Sequence, residues 1–230
     1  MTGEGVNTGT HVGAPEQLAW LRFGADPAGL VLGRDVEQTL VPVRMFREEP
    51  VRLTLIGGVW LASLVAFRAL AVGARVVVCT AAADRWHPLV RAVQNSDRLA
   101  VLIGEQTVNV AAGWASPVLL IDDFGPAGPT TPTQRGNLAP WQTRLTVLPW
   151  LTPAGAPAAG SATLVLAQRL TPDEAAAAAD LLWLSDETAG LLQALQDDMV
   201  ALIGGGADRY VWVNPTTVET HFFGAPHRSG

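Results

Sequence analysis

The stretch from Val51 to Cys79 constrains the fold of this chain more than any other. Val51 to Ile56 is an apolar run and Gly57-Gly58 a tight turn. Trp60 to Val72 has helical spacing and good helix formers and stops at Gly73, and Arg75 to Cys79 is a second apolar run dense in valine. Strands that are continuously apolar, rather than alternating, are buried on both faces, and a helix joining two of them makes a βαβ unit of a parallel sheet. We therefore expect an α/β fold with a mainly parallel sheet and helices on both faces.

The pattern continues downstream. A short helix at His87 to Val93 leads to strands at Leu99 to Ile103 and Val118 to Ile121, with further strands at Leu145 to Leu148 and Ala162 to Ala167. Gly125 to Pro140 and Thr152 to Ser161 are rich in Gly, Pro, Thr and Ala and read as loops. Thr171-Pro172-Asp173-Glu174 is a helix start with the elements of a capping box. That helix runs to about Leu184, and Ser185 caps a second one expected to reach Ile203. Tyr210 to Val213, a turn at Asn214-Pro215 and Val218 to Phe223 read as a C-terminal β-hairpin.

Upstream, residues 1–15 are expected to form a flexible tail, and residues 16–230 a single domain. Residues 16–50 form its small β lead-in, with strands at Leu18 to Phe23, Leu30 to Leu32 and Leu40 to Met45 and a hairpin end at Gly33-Arg34-Asp35. Residues 51–230 form its core. Trp60, Trp183 and Trp212 fall inside elements and are expected in the core, whereas Trp86, Trp114, Trp141 and Trp150 flank loops, where some can be exposed.

Composition removes several classes of function. With 49% hydrophobic residues, the chain can bury a large core. All of its basic residues are arginine, so no lysine is available for phosphate binding, Schiff-base chemistry or general base catalysis. The net charge of −6 and the scattered arginines argue against nucleic acid as a partner. Cys79, the one cysteine, sits in an apolar run and is expected buried, and the four histidines lack metal-ligand spacing. We expect no cofactor. The polar, glycine-rich N-terminus shows no secretory leader, and a cytoplasmic location is expected.

Leu55 to Ala74 is long enough to span a bilayer. Gly57, Gly58 and Arg68 interrupt it, and arginine near a span's centre costs about 2.5–3.5 kcal/mol on insertion scales. A strand, a turn and a buried helix account for the same residues, so stable membrane insertion is not expected.

Two places could carry chemistry. The Gly57-Gly58 turn, with Ser63 on the helix behind it, would present backbone N–H groups at the positive end of a helix dipole, where an anion can bind. A catalytic phosphate loop needs G-x-x-x-x-G-K-[ST]; here bulky Val59, Trp60 and Leu61 fill the loop and the lysine is missing. The glycines equally suit a sharp turn alone. The second place is Leu119-Leu120-Ile121-Asp122-Asp123, an apolar strand ending in two acids that could hold Mg²⁺ and orient water beside a phosphate, or could cap a turn.

In order, these features resemble FtsK/SpoIIIE-type (HerA-FtsK) ATPase domains, including the EccC-like ATPases of type VII secretion. Leu32-Gly33-Arg34-Asp35 with Val41-Pro42-Val43 is similar to their lead-in, Leu119 to Asp123 to their Walker B strand, Leu164 to Arg169 to their "LVLATQRP" strand, and Leu202 to Val213 to their closing segment. The resemblance implies a phosphate-loop NTPase-like fold. With the lysine absent, it implies a pseudo-ATPase, an actinobacterial accessory or interaction protein of type VII secretion whose partner is a secretion ATPase or another copy of itself. The alternative is a nucleotide- or anion-binding enzyme with a non-standard site formed by Gly57, Gly58, Ser63, Asp122 and Asp123.

Overall fold

A computed structural model describes residues 29–94, 97–129, 137–206 and 208–228. The expected tail and the strand at Leu18 to Phe23 lie outside the described residues, as do the middle of the Gly125 to Pro140 loop and the last two residues.

The strands are β1 (Leu30–Arg34), β2 (Leu40–Val43), β3 (Val51–Ile56), β4 (Arg75–Thr80), β5 (Leu99–Ile103), β6 (Val118–Asp123), β7 (Gln142–Leu148), β8 (Leu164–Ala167), β9 (Met199–Ile203) and β10 (Arg209–Trp212). The helices are α1 (Val59–Ala71), α2 (His87–Val93), α3 (Ala156–Gly160), α4 (Pro172–Leu182), α5 (Asp186–Ala194) and α6 (Thr217–Phe223), with a 3₁₀ turn at Ala83–Trp86. All ten strands form one sheet in the order β2-β1-β10-β9-β8-β3-β7-β6-β4-β5. From β8 to β5 every pair is parallel; from β8 through β9, β10 and β1 to β2 every pair is antiparallel. The expected α/β sheet is present, and its parallel part is built from the continuously apolar runs.

Helices cover both faces. On one, α1, α2 and α6 pack over Leu53, Leu55, Val76, Val78, Ile121 and Val147. On the other, α4 and α5 pack over Ile56, Leu148, Val165, Ala167 and Ala201. Helix α1 is buried nearly all round, from Val59 to Ala66 and again at Ala69 and Leu70. This explains why its sequence reads like a membrane span. No helix among the described residues is long and apolar enough to cross a membrane. Its one charge, Arg68, donates to both carboxylate oxygens of Glu219 on α6 at 2.7 and 3.0 Å, and to the carbonyls of Val31, Leu32 and Asn214. A half-buried guanidinium with that many acceptors is a tie between α1, α6 and β1, because each N–H lost to water finds a new partner.

Three expectations need correction at the C-terminal side. The second helix ends at Ala194, and Met199–Ile203 is strand β9, sandwiched between β8 and β10. Its run of buried apolar residues is compatible with helix or strand, and the pairing partners decide. A C-terminal hairpin exists, but its arms are β9 and β10, joined through Gly204, Gly205 and Gly206, all with positive φ. Val218 to Phe223 belongs to helix α6: Thr216 caps it and Glu219 closes the capping box. That Thr-x-x-Glu signature stands in the sequence. Within the expected Thr152 to Ser161 loop, α3 forms a short helix, tied to β3 where the Thr54 hydroxyl donates to Ala158 O at 2.8 Å.

Candidate functional site: a sealed strand–helix turn

In an open α/β sheet, ligands bind beyond the carboxyl ends of the parallel strands, where connections leave in opposite directions. Here β3 leads through α1 to β4 on one side, and β7 leads through α3 to β8 on the other. The Gly57-Gly58 turn lies at that point and is only two residues long, from Ile56 at the end of β3 to Val59 at the start of α1.

The turn is closed by the chain itself. Gly57 N–H donates to Leu148 O at 2.8 Å, fastening it to β7. Gly58 N–H donates at 2.7 Å to the side-chain oxygen of Gln168, just past the end of β8. Gln168 is buried; its own N–H donates to Ile56 O, and its side-chain amide donates to His227 O at 3.3 Å. A Cβ on Gly57 would stand 2.5 Å from that side-chain oxygen, so glycine is required for the approach. Val59 and Trp60, in the first turn of α1, are buried.

Residues 224–228 cross over this turn. The Trp60 indole N–H donates to Gly224 O at 3.3 Å, and the Trp60 and His227 rings lie 6.3 Å apart. Arg228 donates to Pro149 O at 3.2 and 2.8 Å, to Arg169 O, and to both oxygens of Glu174. Glu174, the capping-box acid of α4, also accepts from the N–H groups of Leu151 and Thr171. Burial by itself raises the Glu174 carboxyl. The Arg228 guanidinium and those two N–H donors outweigh it and hold the group below the usual carboxylate range.

Asp122 and Asp123 end β6 and are both buried, but alternation sends them to opposite faces. Asp122 follows Leu120 onto the face away from α1, and its Oδ2 lies 3.6 Å from Arg144 Nε of β7. Asp123 follows Ile121 onto the α1 face. Its Oδ2 accepts from the Thr80 hydroxyl at 3.0 Å and the Trp86 indole at 2.9 Å, and its Oδ1 is 3.8 Å from Arg85. The second acid thus pins the β4 to 3₁₀ connection. Ser63 is buried on α1 and lines a cavity of about 220 Å³ with Arg85, Pro88, Phe223 and His227. The fold brings Gly57, Gly58, Ser63 and Asp123 to one end of one face, and sets Asp122 on the other. No group of three metal-ligating side chains occurs among the described residues.

Gln168, Glu174 and Arg228 are site residues that sequence reasoning misses. Gln168 stands inside the LVLAQR run, so its segment is visible in the sequence, but its bond to Gly58 spans 110 residues.

No protein-family model matches the sequence, and no curated protein matches it. Solved structures do. VirB4 of Thermoanaerobacter pseudethanolicus superposes with a TM-score of 0.61 and 11% identity, covering 84% of this chain and 98% of that one. The cytoplasmic domain of the Thermomonospora curvata type VII secretion ATPase EccC superposes with a TM-score of 0.53 and 9% identity, over 86% of this chain and 32% of that one. The chain shares its α/β fold with these two structures. At such identities the likeness extends to the fold alone. The Gly57-Gly58 turn and the Asp123 carboxylate are both bonded within the chain.

Proposed function

We propose that this protein is a pseudo-ATPase, an FtsK/HerA-type domain that acts by binding another protein rather than by turning over nucleotide. The observation that carries this reading is the bond from Gly58 N–H to Gln168. The N–H that would meet a phosphate already has a buried partner, and the chain from Gly224 to Arg228 is tied down beside it through Trp60 and Gln168. The chain has no lysine to place against β- and γ-phosphates. Asp123 holds Thr80 and Trp86 in place of a hydrated metal. The fold likeness to EccC supports an accessory of a type VII secretion ATPase in an actinobacterial cytoplasm, with that ATPase or a second copy as partner, and the net charge of −6 speaks against nucleic acid. The alternative, an anion or nucleotide site at Gly57, Gly58 and Ser63, requires the Gln168 side chain to leave the turn.

Calorimetry with ATP, GTP and Mg²⁺, run beside light scattering of the protein alone and mixed with the secretion ATPase of its host, tests the proposal. The expected result is no nucleotide heat and a stable complex. Saturable nucleotide binding, or a strict monomer that ignores the ATPase, contradicts it.

A further inference from the structure

Toward the antiparallel edge of the sheet, three strands from the sealed turn and level with the end of β3, an open groove of about 480 Å³ lies between the β1–β2 turn and β10. Asp35, Glu37 and Asp208 line it together with Val36 and Leu40, which are 76% and 51% exposed, and Tyr210. Arg209 is its one lining cation among the described residues. The α4–α5 hairpin adjoins it: Tyr210 lies beside Thr188, whose hydroxyl is 3.1 Å from Ser185, the cap of α5. Two residues before Ser185 stands Trp183, the C-cap of α4, with φ 57° and 92% of its surface exposed.

Charge selects the occupant. From Leu170 to Asp208 every charged residue of the chain is acidic. The negative field is felt inside the groove: burial pushes the Tyr210 phenol up, neighbouring Thr188 opposes this, and the charges of Asp208 and Glu187 push it further up. A second copy presenting the same face would meet like charge, and so would nucleic acid. A cationic segment gains from the carboxylates and from the aromatic groups, which attract guanidinium and ammonium ions through their ring faces. An exposed tryptophan beside such a groove has the character of an interface anchor.

We infer that this groove, together with Trp183 exposed on the adjoining α4–α5 hairpin, docks an arginine- or lysine-bearing segment of a protein partner. The inference rests on the interaction role proposed above and gives that partner its chemistry. Fluorescence anisotropy with labelled oligo-arginine, oligo-lysine and oligo-glutamate peptides tests it, at about 50 mM and again at about 500 mM salt. The two cationic peptides should bind and the acidic one should not, with binding lost at high salt. Trp183→Ala should weaken binding roughly thirtyfold, as loss of an anchor does. The charge-only variant Asp35→Asn/Glu37→Gln/Asp208→Asn should weaken it about tenfold. The Asp35→Asn change keeps a side-chain oxygen to accept the N–H bonds that Asp35 takes from Glu37 and Thr39, so the turn keeps its shape. Asp84→Asn, an exposed acid on the other face, should have no effect. Failure of the cationic peptides to bind, or equal loss with Asp84→Asn, overturns the inference. Nucleotide binding by the same protein would defeat the pseudo-ATPase reading and leave a groove-dependent result standing. Groove-independent peptide binding would do the reverse.

Discussion

At the carboxyl ends of β3, β7 and β8, polar groups are bonded to one another, whereas at the amino end of β10 they face an open groove. Gly58, Gln168, Glu174 and Arg228 form a closed set linking residues far apart in the chain. Asp35, Glu37 and Asp208 line a surface on which Val36 and Leu40 are half or more exposed. Internal bonds raise stability and remove binding capacity; solvent-facing like charge and exposed apolar groups do the opposite. The strand–helix turn is thus bonded within the chain, and the groove at the antiparallel edge has the features of a contact surface.

The largest effect should come from Arg228→Ala. It leaves Glu174 facing carbonyls without its cation, and we expect a loss of about 2–3 kcal/mol, below the full cost of breaking a buried pair because Arg228 keeps some solvent. At this chain length that is a fall in Tm of roughly 5–10 °C, read by calorimetry. Gln168→Leu should cost less, about 1–2 kcal/mol, by leaving the Gly58 N–H buried and unpaired; urea denaturation measures it. If neither variant is destabilised, the turn and the groove do not differ as described.

Acid sharpens the same contrast. Glu174 and Glu219 are both held below the ordinary carboxylate value of 4.5 against the pull of burial, by Arg228 and Arg68 respectively together with backbone N–H donors. A depressed folded-state value means stability that is fully present above the unfolded value and is lost as pH falls through the folded one. Urea midpoints should therefore be level from neutrality to about pH 5 and drop below pH 4.5, and Glu174→Gln should flatten part of that drop. The smallest effect is of opposite sign. Trp183 is exposed in left-handed backbone, where glycine is favoured, so Trp183→Gly should raise stability by about 0.5 kcal/mol while impairing cation docking.

Much of this is legible in the sequence, and the reasons for the rest are specific. Val51 to Thr80 can be read because continuous apolar strands around a Gly-bounded helix have few alternative arrangements. The capping boxes at Thr171 and Thr216 have the same spacing, but Val218 to Phe223 follows a turn and begins with a β-branched residue, which favours a strand reading. Met199 to Ile203 is apolar throughout, so periodicity does not separate helix from strand. Tryptophan burial reverses expectation at Trp183, which ends a helix yet points to solvent, because the chain turns there; Trp86 flanks a loop and is fully buried, with Asp123 accepting its indole N–H. For the site, Gly57, Gly58 and Asp123 can be named from local pattern, while the role of Gln168 and Arg228 depends on contacts spanning 110 and 54 residues, which no local pattern encodes.

The most direct test of the sealed turn is titration of Mg²⁺-ATP into the intact protein, with phosphate release followed in parallel. The account predicts no saturable heat and no release above buffer. Micromolar binding with steady, metal-dependent phosphate release would contradict it.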